Sequence, residues 1–169
     1  MRYFYLYMDK NFGSMPSIIR KIPNRFPCIR TVVYVASTEF TFYPNIMIAE
    51  ELLVTEEIKN CLKLFEPNMH VEEKILFDMH TKTDKRYYVL HVKEYGDMDC
   101  VPEDKTIFKI KENEKSKYVI RQDAFECIFR RGIMGVMVSE VEDEGIEKIC
   151  QKKTKRSAGL KVLLTKSLP

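Results

Sequence analysis

TIFKIKENEKSKYVIRQDAFECIFRRGIMGVMVSEV, residues 106–141, holds two strand-like runs, a helix and a third strand-like run in direct succession. Residues 106–110 and 117–120 are rich in β-branched and aromatic side chains and flank a charged turn over 111–115. The period then changes. Across 122–131, Ala124, Phe125 and Ile128 recur at helical spacing, with Cys127 beside them. Asp123 sits early, Arg130 and Arg131 sit late, and Gly132 is placed as a left-handed cap, which suits the helix dipole. Residues 135–141 read as a last strand. Two strands, a helix and a strand without a regular βαβ rhythm point to an α+β fold.

The same signals extend toward the N-terminus. Residues 3–8 read as a strand in which Tyr3, Tyr5 and Tyr7 face opposite to Phe4, Leu6 and Met8. Residues 11–27 carry Gly13, Pro16, Pro23 and Pro27, so they predict a loop with a short extended piece at Ile18-Ile19. Residues 31–35 predict a buried strand, and residues 39–43 a further one. A helix is predicted over Glu56–Phe65, with Thr55 as N-cap, Glu56 and Glu57 in the first turn, and an apolar stripe of Ile58, Cys61, Leu62 and Phe65. Strands over 69–77 and 87–92 complete the body. The expected architecture is α+β: a mostly antiparallel sheet of seven or eight strands with two or three helices, as a single domain. That domain spans 1–144, and 145–169 forms a basic C-terminal extension docked on it.

Composition agrees with one globular unit. The chain has 169 residues, 45% hydrophobic and 31% charged, and a chain of that length buries about 70% of its unfolded surface. Cys28, Cys61, Cys100, Cys127 and Cys150 are odd in number and never form a C-x-x-C pair, so buried free thiols in a reducing compartment are expected. The N-terminus is too short and too aromatic for a signal-peptide core, and no uncharged stretch reaches the roughly 18–20 residues of a membrane span. A soluble, cytoplasmic protein is expected. The net charge of +3 is uneven: residues 145–169 hold seven basic residues and one acid, leaving 1–144 at −3.

Few side chains suggest chemistry. His70 and Glu72 would share a strand face, open to a two-ligand metal site or to a solvated polar face. Asp78, His80 and Asp84 cluster in one loop as half of a metal-dependent hydrolase site. His91 reads as a sheet histidine. Asp97-Met98-Asp99 is an acidic turn without the further oxygens of a calcium loop. No nucleophile elbow, zinc-protease motif or phosphate-cradling glycine loop occurs. No cofactor is expected, and no enzyme. The basic extension offers a nucleic-acid reading, but 145–169 contains no aromatic for base stacking, so a docked lysine-rich segment is favoured. Glu140, Glu142, Asp143 and Glu144 form an acidic run that, with Asp97 and Asp99, supplies the candidate partner-binding residues, since such a patch steers a basic protein.

From Ile48 to Val141 the order of elements also resembles a known family. Its carriers are Thr55-Glu56-Glu57-Ile58-Lys59-Asn60-Cys61-Leu62, Tyr87-Tyr88-Val89-Leu90-His91-Val92 with the acidic turn at Asp97, Ile107-Phe108-Lys109-Ile110, and the helix closing on Gly132-Ile133-Met134-Gly135-Val136. This resembles the immunity-protein family of bacterial polymorphic toxin systems, formerly a domain of unknown function. The resemblance covers somewhat more than half the chain and transfers no functional residue, and the basic extension lies outside it. It implies a non-catalytic protein that neutralises a cognate bacterial toxin by binding it.

Overall fold

A computed structural model of the chain describes residues 1–21, 30–112 and 115–141. The strands are β1 Tyr3–Met8, β2 Ser17–Lys21, β3 Arg30–Ala36, β4 Ile46–Ile48, β5 Leu52–Val54, β6 Val71–Asp78, β7 Asp84–Leu90, β8 Glu94–Tyr95, β9 Ile107–Glu112, β10 Lys115–Arg121 and β11 Val136–Glu140; the helices are α1 Glu56–Phe65 and α2 Gln122–Phe129. They build two sheets, one ordered β11-β1-β10-β9-β8 and the other β2-β3-β6-β7-β5-β4. Every pairing is antiparallel except β3 with β6 and β8 with β9.

The α+β class stands, but the strand count differs. The described residues hold eleven strands in two sheets, against the seven or eight in one sheet that the pattern predicts. Three strands carry no readable period because β4, β5 and β8 are only two or three residues long. The strand expected over 39–43 is absent. The Thr41 amide closes a turn on the Thr38 carbonyl at 3.0 Å, leaving a single bridge between Ser14 and Thr41.

The main core lies where both sheets and both helices meet. Leu6, Ile107, Tyr118 and Ile120 come from the five-stranded sheet, and Ile46, Leu52, Val54 and Leu90 from the six-stranded one. Between them α1 contributes Ile58, Cys61 and Leu62, and α2 contributes Ala124 and Ile128. Strand alternation then sends a second set of side chains to each outer face. Val119, Phe108 and Ile110 cluster with Tyr95 on the outside of the five-stranded sheet. Val33, Val35, Leu53, Leu76, Tyr87 and Val89 do so on the outside of the six-stranded sheet. The central strands are therefore buried on both sides, as Tyr118, Val119 and Ile120 in succession illustrate.

Helix α1 spans the predicted residues, but its Thr55 hydroxyl makes no cap bond and is buried without a partner; the Thr55 carbonyl accepts from Lys59 N–H instead. Helix α2 ends two residues before the predicted limit, and Gly132 takes φ +71° just beyond it. Gly135, at φ +81°, approaches Pro44 so closely that a Cβ would lie 2.8 Å from the proline Cβ, which fixes the chain entering β11 against the turn before β4. No helix of the described residues is long and apolar enough to cross a membrane.

Candidate partner-binding face

On the outer face of the five-stranded sheet, β1 lays down Tyr3, Tyr5 and Tyr7, all half-buried. Register sets Ser139 beside Tyr5 and Met137 beside Tyr7 on β11. Met137 is 49% exposed, and the Ser139 hydroxyl donates to the Tyr7 hydroxyl at 3.4 Å. Lys117 of β10 places its ammonium 4.8 Å from the Tyr5 ring centre. Aromatic contacts run on across the sheet. Tyr5 and Tyr7 lie 6.1 Å apart, Tyr3 meets Phe108 edge-on at 5.5 Å, and Phe108 meets Tyr95 at 5.9 Å. Offset and edge-on rings at such spacings attract one another and form a stiff platform.

Acidic groups gather at the Tyr3 end. Asp97 precedes a 3-10 turn over Met98–Cys100, where its carboxylate accepts from Asp99 N–H. Asp99 and Glu103 line a groove of about 450 Å³ with Met1, Tyr3, Met98 and Val101. Burial raises the Tyr3 phenol above its ordinary value, Arg121 opposes that, and Glu103 and Asp123 add to it. On the far side of β1, Glu140 is registered with Phe4 and pairs with Arg2 at 3.6 Å. The structure thus brings Asp99 to Tyr3 and sets Glu140 on the adjoining strand. Glu142, Asp143, Glu144 and the basic extension lie outside the described residues.

The other sequence candidates are placed differently. Asp78 points inward. Its carboxylate accepts from His80 and Thr81 N–H at 2.9 and 3.3 Å and from the Tyr43 hydroxyl at 3.0 Å. The Ser37 hydroxyl beside it, although outside strict hydrogen-bond geometry, is the largest influence holding it well below its ordinary 3.8, ahead of those three donors and against the opposing effect of burial. Asp78 is occupied as the cap of the β6–β7 hairpin, while His80 and Asp84 are exposed. No three His, Cys, Asp or Glu among the described residues gather into a metal-binding group. His70 lies just before β6 with its ring centre 4.6 Å from that of His91, and His91 in turn approaches Glu72 at 3.6 Å. His91 lies just past β7 and is exposed, not set within a central strand.

Alternation already separates Tyr3, Tyr5 and Tyr7 from Phe4, Leu6 and Met8 in the sequence. What it lacks is which set meets the helices. Phe4 answers that by packing on Phe125 of α2 at 5.4 Å, which leaves the tyrosines outside.

Fold and surface together define a sheet-rich α+β protein with an open tyrosine face. No protein-family model matches the chain, and no curated protein does.

Proposed function

We propose that this chain is a non-catalytic binding protein of the immunity type, which neutralises a cognate bacterial toxin by holding it against the outer face of the five-stranded sheet. The observation that carries the reading is the tyrosine row of β1, half-open and lined with Met137 and Lys117, with Asp99 and Glu103 at one end. Tyrosine joins large apolar area to a hydroxyl at low entropic cost, and with methionine it is enriched where proteins meet. The acidic end favours a basic protein over nucleic acid, as does the −3 charge of residues 1–144, because phosphates would be repelled.

Co-expression with the toxin tests the activity. Abundant wild-type protein should rescue growth, and continued killing would overturn the reading. Paired substitution Tyr5→Glu and Tyr7→Glu tests the face. Each anchor lost should cost at least about 2 kcal/mol, roughly 30-fold in Kd. Tyr34 and Phe77, a half-buried pair 5.8 Å apart on the six-stranded sheet, are the control. Protection lost on Tyr34→Glu but kept in the double variant would move the contact elsewhere. Salt-sensitive binding of a single-stranded oligonucleotide, abolished by Tyr5→Glu, would replace the protein partner by a nucleic acid.

A further inference from the structure

The two helices hold a feature that the tyrosine face does not use. Cys61 of α1 is buried, Cys127 of α2 is half-exposed, and both are free thiols. They approach one another across the helix pair, since one arginine reaches both sulfurs. A single guanidinium nitrogen, Nη1 of Arg131, is 3.0 Å from the Cys127 sulfur, 3.5 Å from the Cys61 sulfur and 2.7 Å from the Cys127 carbonyl. Glu57 lies 4.0 Å from the same guanidinium, so the arginine is held from both helices. Burial pushes the Cys61 thiol up to about 11, and its contact with Cys127 reinforces this, with Arg131 opposing.

Two thiols of unequal exposure under one fixed positive charge form an asymmetric pair. We propose that Cys61 and Cys127 are a peroxide-oxidisable dithiol, with Cys127 as the attacking sulfur and Cys61 as the resolving one. An arginine beside a sulfur favours the nucleophilic thiolate, and redox-responsive cysteines are accessible and have a resolving neighbour. The Cys127 thiolate attacks one oxygen of a hydroperoxide. The O–O bond breaks, and the departing oxygen takes a proton and leaves as water or alcohol. Cys127 is now a sulfenic acid. The Cys61 sulfur then attacks it, the S–O bond breaks, and hydroxide leaves with the Cys61 proton as water. Two thiols have lost two electrons to the peroxide, and one S–S bond joins α1 to α2.

Cys100 supplies an internal reference, being exposed on the 3-10 turn. The full chain, fully reduced, is treated with hydrogen peroxide and mapped by mass spectrometry without reduction. The expected result is a peptide pair joined through Cys61 and Cys127, two hydrogens lighter, forming about tenfold faster than Cys100 oxidises. Arg131→Gln should slow that reaction, and Arg131→Lys should restore part of the rate by returning the charge. Cys61→Ala should leave a sulfenic acid at Cys127 that a cyclic diketone traps. Oxidation of Cys100 alone, or a 61–127 link appearing only after denaturation, would overturn the proposal. Should Cys61→Ala fail to fold, mapping of the wild-type link decides alone.

Discussion

The outer faces of the two sheets use the same residue type in opposite ways. On the six-stranded sheet, Tyr87 is buried and donates its hydroxyl to the Pro44 carbonyl at 2.8 Å, and Tyr43 donates to Asp78. Burial lifts both phenols, Tyr43 to about 12 with Asp78 adding to the effect. These hydroxyls are spent on the chain itself. On the five-stranded sheet, the Tyr7 hydroxyl accepts from Ser139 at 3.4 Å and the Tyr3 hydroxyl donates to the Met1 sulfur at 3.7 Å, both at exposed sites. The aliphatic neighbours differ in the same sense. Val33, Val35 and Leu76 lie under Met15 and Tyr43, around a cavity of about 210 Å³ whose Lys74 is neutralised by Glu51. One outer face is a second core with a lid; the other buries Val119, Phe108 and Ile110 beside Tyr95 but leaves the tyrosine row of β1 half-open. The fate of the tyrosine hydroxyl separates the two more cleanly than aromatic content does.

Removing core volume from the lidded face should have the largest effect. Leu76→Ala should cost about 2–5 kcal/mol in denaturant melts, because the void adds to one already present. A cost near zero would mean that Met15 and Tyr43 collapse onto the gap, and the second-core description would fail. Tyr87→Phe comes next. It keeps the ring but strands the buried Pro44 carbonyl, at about 1–3 kcal/mol.

Acid should act on the lidded face through Asp78. Its carboxyl is held below its ordinary 3.8 in the folded chain. A depressed value means that the folded state binds the proton less well than the unfolded one. The stabilisation is therefore complete above about pH 4 and is lost as the pH falls below it. Asp78→Asn should lower stability at neutral pH and flatten part of the acid limb in pH-dependent melts. Asp123, held down by Arg121 on the five-stranded side, leaves the remainder of the slope. An unchanged acid limb in Asp78→Asn would show that the hairpin cap contributes nothing there.

How much of this was legible depended on element length and on the partner of each face. The stripe Ile58, Cys61, Leu62 announced α1 because a helix repeats its apolar signal within ten residues. The run Ile46-Met47-Ile48 gave no such signal. A three-residue strand buried on both faces has no alternation to read, so β4 and its partner β5 became visible only through their pairing. Asp78, His80 and Asp84 look like donors because they cluster in one loop. The tight turn instead folds the Asp78 carboxylate back onto the His80 and Thr81 amides. Exposure of thiols was equally hidden, with Cys100 exposed and Cys127 half-exposed where burial was expected. Sequence spacing fixes which side chains share a face, while burial depends on what the rest of the chain lays across it.

The smallest effect should come from the open face, and it is the sharpest check on the contrast. Tyr7→Phe removes a hydroxyl whose only described bond is a 3.4 Å contact at an exposed site, so water can take the place of the phenol for Ser139. Met137→Ser exchanges a side chain already half in solvent. Either change should alter folding stability by no more than about 0.5 kcal/mol, the range of surface substitutions that touch no special feature. The same hydroxyl deletion at Tyr87 is expected to cost several times more, although the chemistry removed is identical. Equal losses at Tyr7 and Tyr87 would mean that the five-stranded face is also needed for the fold, and the case for it as a partner surface would weaken.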